Sequence, residues 1–115
     1  MPGVQTLMPV MLNNINEGKL SLNQLMNFIC ENPVKIFGIK NKGFIKEGFD
    51  ADFTIVDMNK KIIIKNENIE SKCGWSPFNG VEFKVTPVST IIAGKIKMKD
   101  GKILGEPDGT PLEFS

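Results

Sequence analysis

The chain has 115 residues, a mass of 12.7 kDa and a formal net charge of +1, which suits a small folded protein and is too weak for a typical nucleic-acid-binding surface. It contains no histidine and all 14 basic residues are lysine, so it lacks both an imidazole acid or base and a guanidinium clamp. No apolar run is long enough to span a bilayer. Composition therefore argues against nucleic acid and membranes as partners.

The first helix is predicted from apolar residues that recur every three or four positions between Val4 and Ile15. Thr6 is the predicted N-cap, and Pro9 then falls in the first turn, where its missing N–H costs little. Gly18 is expected just beyond the end of this helix.

Two further helices are predicted between Ser21 and Gly38. Ser21 and Gln24 form the capping-box pattern that opens the second helix. Asn32 followed by Pro33 should break that run and act as a new N-cap, so a third helical turn is expected to end at Gly38.

The rest of the chain reads as strand-rich, because glycines and prolines separate short β-branched runs. Asp100-Gly101 predicts a hairpin, and Lys95, Lys97 and Lys99 are expected to form a solvated strand face. Residues 106–115 should form an ordered loop or arm. Strands are expected over residues 53–56, 62–64, 81–85, 88–93, 95–99 and 102–104, with a short helix over 66–72. Helices followed by strands predict an α+β fold.

Asp50, Asp52 and Asp57 are the one carboxylate cluster ahead of a strand. Such a cluster can bind a hard cation or transfer protons. Their place beside the turn at Gly48 and Phe49 favours turn capping instead.

The two cysteines, Cys30 and Cys73, lie far apart without a partner at metal-ligand spacing, as is typical of reduced and mostly buried thiols in a cytoplasmic protein. Lys72, close to Glu67 and Glu70, could activate Cys73, but no base or oxyanion donor accompanies that thiol. Trp75 lies in a loop rich in Gly and Pro, where a buried anchor is favoured over a ligand-stacking role.

Five local sequence patterns follow one another along the chain. They are Pro2-Gly3-Val4-Gln5-Thr6-Leu7-Met8-Pro9, the run 31–38, the run 43–57, Ser71-Lys72-Cys73-Gly74-Trp75-Ser76-Pro77-Phe78-Asn79-Gly80, and Ala93-Gly94-Lys95 with Asp100-Gly101. Together they resemble the C-terminal end of dihydroorotase and its relatives among the metal-dependent cyclic amidohydrolases.

This resemblance implies that residues 1–40 are the terminal helices of a (β/α)8 barrel and that residues 41–115 are strands of the small β-sandwich domain. The family interconverts N-carbamoyl-aspartate and dihydroorotate in pyrimidine synthesis, using a zinc-activated hydroxide. Its metal ligands and catalytic aspartate lie upstream of the matched part. The resemblance therefore assigns no catalytic residue, metal ligand or cofactor to this chain, and it places Met1, Pro2 and Gly3 at the trailing edge of the substrate-binding loop.

We therefore expect the C-terminal portion of a dihydroorotase-like enzyme, inactive alone. Apolar surface around Leu7, Met11 and Leu25 should drive self-association or binding to the missing N-terminal part. The alternative is a catalytically dead interaction module that supports assembly of aspartate carbamoyltransferase, by analogy with inactive relatives. An autonomous hydrolase that uses Asp50 and Asp52 with a metal is the least favoured interpretation.

Overall fold

The computed structural model of the chain describes residues 2–115. Within that range the helices precede the strands, which confirms the predicted α+β class. The helices are α1 (Leu7–Asn16), α2 (Leu22–Met26) and α3 (Asn32–Phe37). The strands are β1 (Phe53–Asp57), β2 (Ile62–Ile63), β3 (Glu82–Phe83), β4 (Thr86–Ile92), β5 (Lys95–Lys99) and β6 (Lys102–Ile103). No helix in the described range is long and apolar enough to cross a membrane.

The chain divides into two units, which are described separately below. Unit 1 contains the residues up to Leu20 together with Val56–Pro87, and unit 2 contains Ser21–Ile55 together with Val88–Ser115. Strands β1, β4, β5 and β6 are neighbours in that order in one sheet, and β2 pairs with β3 in another. The predicted division between residues 40 and 41 stays a prediction.

In unit 1, α1 packs beside the β2–β3 pair. Thr6 is the N-cap residue, as predicted, although its side chain makes no capping hydrogen bond, and Gly18 follows the helix at a φ of 74°. The Asn13 side-chain oxygen accepts the backbone N–H of Lys84 at 3.2 Å, which ties the helix to the end of β3. The buried apolar side chains of this unit are Leu12, Ile64, Phe83 and Val85.

Two predicted elements of unit 1 are much shorter than expected. The strand expected over residues 81–85 is β3 (Glu82–Phe83), and the helix expected over residues 66–72 is a single 3-10 turn, Asn66–Asn68. The turn stops there because Ile69 is extended, with φ −84° and ψ 118°, and the next backbone N–H, that of Glu70, donates to a side chain instead of a helix carbonyl. At the start of the turn, the Asn66 backbone N–H donates to the Asn79 side chain at 2.9 Å and the Asn66 side-chain oxygen accepts the Ser76 N–H at 2.9 Å.

In unit 2, the capping box that opens α2 is confirmed. The Ser21 hydroxyl accepts the Gln24 N–H at 3.1 Å, and the Gln24 side chain accepts the Ser21 N–H at 2.9 Å.

Leu25, on this helix, is buried, so the expectation that it belongs to an exposed apolar surface is wrong. Leu7 of unit 1 is half-exposed and Met11 is half-buried.

The predicted break at Asn32-Pro33 is also wrong. Asn32 has helical dihedral angles, φ −65° and ψ −44°, and its N–H bonds the carbonyl of Asn27, five positions back. A π-turn over Asn27–Glu31 therefore joins α2 to α3. Proline removes one helical N–H and its ring crowds the carbonyl four positions earlier, and a wider turn before the proline relieves that crowding. Gly38, at a φ of 63°, ends α3 as predicted.

Unit 2 also contains two hairpins. Ala93 and Gly94 connect β4 to β5 with φ values of 49° and 78°, and Asp100 and Gly101 connect β5 to β6 with φ values of 49° and 80°. Positive φ at both central residues is the geometry of the two-residue turn that matches strand twist, which confirms the hairpin predicted at Asp100-Gly101.

The C-terminal residues form an ordered arm, as expected. The Lys40 N–H donates to the Glu113 carbonyl at 2.8 Å, the Ser115 N–H donates to the Gly38 carbonyl at 2.8 Å, and Ile39 pairs with Phe114 in an antiparallel bridge. The end of the arm therefore pairs with the segment that follows α3, and the two form a short two-stranded contact.

Candidate functional site

The segment before α1 includes the predicted edge of a substrate loop, Met1, Pro2 and Gly3, of which Met1 lies outside the described residues. The Gly3 carbonyl accepts the Leu7 N–H at 2.9 Å and the Thr6 hydroxyl at 3.4 Å. Thr6 is buried. Gly3 is therefore fixed on the first turn of α1, and its role at a substrate loop stays a prediction.

Gln5 connects this segment to a distant part of unit 1. Its side-chain amide nitrogen donates to the Asn68 carbonyl at 2.8 Å, and its side-chain oxygen accepts the Glu70 N–H at 2.9 Å. One amide thus satisfies a backbone acceptor and a backbone donor two residues apart, much as a neighbouring strand would.

The partner of Gln5 is a loop over residues 66–80 that is closed at its base. The Gly80 N–H donates to the Ile64 carbonyl at 2.8 Å, and the Ile64 N–H donates to the Val81 carbonyl at 3.0 Å. Inside the loop, Asn66 and Asn79 make the bonds described above, and the buried Ser76 hydroxyl accepts the Phe78 N–H at 3.1 Å. The loop base is therefore organised independently of Gln5.

The distal part of this loop carries Cys73 and Trp75. Cys73 is exposed, so the expectation of a mostly buried thiol is wrong for this residue. Hydrogen bonding to the Ser71 hydroxyl, whose oxygen is 3.3 Å from Sγ, lowers the pKa of the Cys73 thiol. The cause is therefore this hydroxyl and not the ammonium group of Lys72. Trp75 is 45% exposed, so the expectation of a buried anchor is wrong.

Asp50 and Asp52 lie together in unit 2 around a lysine. The Lys42 ammonium forms ion pairs with both carboxylates, at 3.0 Å to Asp50 and in close contact with Asp52. The other oxygen of Asp52 accepts the Ala93 N–H at 2.9 Å, and the Gly94 N–H donates to the backbone carbonyl beside it, that of Ala51, at 3.0 Å. Asp52 thus holds the β4–β5 turn, whereas the turn-capping interpretation places this carboxylate at the local turn of Gly48 and Phe49.

Lys42 and Asp52 each shift the pKa of the other. Hydrogen bonding to Lys42 and to the Ala93 N–H keeps the pKa of the Asp52 carboxyl below its usual value. Hydrogen bonding to Asp52 and Asp50 raises the pKa of the Lys42 ammonium group. Both charges are therefore stabilised at neutral pH, and neither group is poised to exchange a proton there. Asp57 lies in unit 1, where its carboxylate accepts the Asn59 N–H at 2.9 Å.

The donors of this chain do not fit the zinc ion that the resemblance implies for an intact enzyme. Zinc in proteins favours imidazole and thiolate ligands, and the chain has no histidine. Burial raises the pKa of the Cys30 thiol, which disfavours the thiolate. Across residues 2–115, no group of three or more Cys, Asp or Glu side chains is placed to hold a metal ion. No chemical step through zinc is therefore assigned to these residues.

The lysines of β5 agree in part with the expected solvated face. Lys95 and Lys99 are exposed, whereas the Lys97 side chain is only 18% exposed. Lys95 and Lys97 form ion pairs with Asp108 of the C-terminal arm at 2.7 Å and 2.5 Å, and Lys97 also donates to the Glu106 carbonyl at 3.0 Å. These two lysines lower the pKa of Asp108 to about 2. Lys97 departs from the prediction because its partners lie in a part of the chain that pattern alone does not place.

Sequence reasoning did not single out Gln5 or Asp108. The partners of Gln5 are 63 and 65 positions away, and Asp108 is 13 positions from Lys95, so no local pattern marks either contact. The one available signal for Gln5 was its place within the first of the five sequence patterns.

Comparison with known proteins shows similarity to the amidohydrolase family. Residues 3–97 match the sequence profile described as the amidohydrolase family. The chain is 43% identical to the dihydroorotase of Pyrococcus furiosus over 109 residues, which cover 95% of this chain and 26% of that protein. It is 37% identical to the L-hydantoinase of Paenarthrobacter aurescens over 106 residues, which cover 90% of this chain and 23% of that protein.

A solved structure agrees with the sequence relatives. The L-hydantoinase (dihydropyrimidinase) from Arthrobacter aurescens superposes with a TM-score of 0.86 at 36% identity, covering 90% of this chain and 24% of that one. The chain thus spans about a quarter of the length of the curated relatives it matches. The resemblance to dihydroorotases is confirmed, and this protein belongs to the amidohydrolase family.

Proposed function

We propose that this chain is the C-terminal portion of a dihydroorotase-like cyclic amidohydrolase, and that it braces an active centre formed by the remaining length of such an enzyme. Residues 1–40 would be the terminal helices of its barrel, and residues 41–115 would be strands of its β-sandwich domain. The observation that carries this proposal is a family match over residues 3–97 in a chain that spans only 26% of a relative with 43% identity.

In the proposed intact enzyme, the reaction is the reversible ring opening of dihydroorotate to N-carbamoyl-aspartate. The metal ligands and the proton-transferring group would come from the remaining length, because the donors here do not fit zinc and the paired charges of Lys42 and Asp52 in unit 2 hold a turn. The contribution of this chain would be mechanical, since Gly3 and Gln5 order the segment before α1.

Exposed apolar side chains support a partner for this chain. In unit 1, Leu7 is 51% exposed, and in unit 2 Ile36 and Phe37 are 73% and 64% exposed at the end of α3, with Ile45 at 84%. Large apolar side chains that stay in contact with water favour association, because burial of each is worth about 1.5–3 kcal/mol. We propose that the rest of the enzyme, or a second copy in its absence, covers these positions.

The test is complementation. The chain is coexpressed with Pyrococcus furiosus dihydroorotase truncated before the matched 109 residues, and ring opening of dihydroorotate is followed by ultraviolet absorbance. We expect copurification and activity of the pair, and no activity of either chain alone. An unrelated chain of similar length in place of this one is the control.

Two outcomes would contradict the proposal. Ring opening by this chain alone would mean that it carries its own catalytic centre. Failure to bind the truncated enzyme, together with capture of aspartate carbamoyltransferase, would favour the assembly module instead.

A further inference from the structure

The amide of Gln5 bridges two stretches of unit 1 that are far apart in sequence. We propose that Gln5 is a positioning residue: it fixes the substrate-loop edge at Pro2 and Gly3 onto the loop over residues 66–80. This inference rests on the proposed function, because only that function gives the edge a substrate to hold.

The segment from which Gln5 projects is rigid. The Gly3 carbonyl is held both by the Leu7 N–H at 2.9 Å and by the hydroxyl of the buried Thr6 at 3.4 Å. Gln5 lies between these contacts. A shift of the Gln5 side chain is therefore transmitted to Gly3 instead of being absorbed by a flexible linker.

The Gln5 side chain uses both halves of its amide group. The Gln5 nitrogen donates to the Asn68 carbonyl at 2.8 Å while its oxygen accepts the Glu70 N–H at 2.9 Å. A carboxylate in this place keeps the acceptor and loses the donor, and an apolar side chain loses both. The two halves of the bridge can thus be removed separately.

The loop over residues 66–80 does not need Gln5 to fold. Its base is closed by Ile64 with Gly80, and its interior is held by the bond from the Ser76 N–H to Asn66 at 2.9 Å. Gln5 bonds the loop at Asn68 and Glu70, which take no part in these contacts. The role of Gln5 is therefore to fix the position of the loop relative to the segment before α1.

The experiment first measures amide hydrogen exchange in the chain itself. In Gln5→Ala, exchange of the Glu70 N–H should accelerate about fivefold to about thirtyfold, the factor that one or two hydrogen bonds are worth. The Ser76 N–H, which bonds a side-chain amide oxygen at the same 2.9 Å, should be unchanged and is the internal control. Gln5→Glu should leave Glu70 protected. Asn16→Ala, an exposed amide at the end of α1, is the matched variant.

The second measurement is the kinetics of the complemented enzyme described above. Because a loop edge that binds substrate contributes to affinity, Gln5→Ala should raise KM about fivefold to about thirtyfold with little change in kcat. Gln5→Glu should also raise KM, since it loses the donor to Asn68. A merely structural role would reduce the amount of active complex, lowering the maximal rate and leaving KM unchanged.

Each outcome decides the inference. Faster exchange at Glu70 together with a raised KM supports it. If the wild-type pair is active but Gln5→Ala leaves the KM unchanged, or leaves the exchange of the Glu70 N–H unchanged, this inference alone is overturned. An inactive wild-type pair overturns the proposed function and this inference with it. If Gln5→Ala also speeds exchange at Ser76, the variant has unfolded, and the KM of Gln5→Glu then decides.

Discussion

Replacing Asp52 by alanine removes two interactions at once from the β4–β5 turn. The hydrogen bond from the Ala93 N–H to a charged acceptor is worth about 1.5–3 kcal/mol when buried, and the ion pair with Lys42 about 0.2–1 kcal/mol. Because the Asp52 side chain is 33% exposed, solvent screening moves both values to the lower ends of their ranges. We therefore expect a loss of about 2 kcal/mol in the free energy of unfolding. Asp50→Ala, which removes only the 3.0 Å ion pair with Lys42, should cost less than about 1 kcal/mol.

The assay is urea unfolding followed by far-ultraviolet circular dichroism, at neutral pH and again in acid. The pKa of Asp52 is lowered in the folded protein, so its charge stabilises the fold above the ordinary carboxyl pKa, and this contribution disappears as the pH falls through the lower, folded-state value. Asp52→Asn, which retains an acceptor for Ala93, should therefore differ from wild type at neutral pH and converge with it in acid. Equal losses for Asp52→Ala and Asp50→Ala would refute the turn-holding role. Stoichiometric zinc that binds wild type and is lost in Asp52→Ala would instead restore the metal-site interpretation.

Three further perturbations test other parts of unit 2. Ser21→Ala removes one bond of the capping box and should cost about 1 kcal/mol, measured by thermal unfolding. Gly43→Ala should cost more than about 2 kcal/mol, because its φ is 83° and a methyl group would lie 2.8 Å from a helix carbonyl oxygen. Asp108→Asn should speed amide exchange in the C-terminal arm. In wild type, the arm should stay in place until the pH approaches the Asp108 pKa of about 2, since only then does this carboxyl lose the charge that binds Lys97.

Each of these has a control within the chain. Gly48→Ala has a similar φ of 85° with open space around the added methyl group, so it reports the backbone strain alone and should cost about 1–2 kcal/mol. Equal costs at Gly43 and Gly48 would contradict the close approach. For Ser21, the control is Ser21→Asp, which retains a side-chain acceptor for the Gln24 N–H and should cost little. High salt should reproduce the effect of Asp108→Asn if the contact of the arm is electrostatic, and no response to salt would argue against it.

The elements that sequence predicted correctly are those whose stabilising bonds are local. The capping box spans four residues, Gly38 ends α3 through its own φ, and Asp100-Gly101 turns the chain through two. The wrong boundary at Asn32 has a different origin. Asparagine before proline suits a helix start as well as a π-turn, and the choice depends on which carbonyl its N–H meets.

For the candidate site, sequence predicted a turn-capping role for Asp52 but neither the turn that it holds nor its partners. Its neighbour in the fold, Ala93, is 41 positions away, and the contacts of Gln5 span more than sixty. Periodicity and turn chemistry describe windows of about ten residues, so contacts at these separations lie beyond them. What such windows did supply was the order of five patterns, from which the family resemblance followed.

The π-turn at Asn27–Glu31 sets a strict requirement on the length of this segment. A π-turn contains one residue more than an α-turn, so every position after it is rotated by about 100° relative to an uninterrupted α-helix. Val34 and the Cys30 carbonyl meet Gly43 only in the rotated phase, since an added Cβ there would lie 2.5 Å and 2.8 Å from them. Deleting a single residue between positions 27 and 31 would turn α3 by that angle and separate these groups. Side-chain exchange in this segment is therefore far better tolerated than a change in its number of residues.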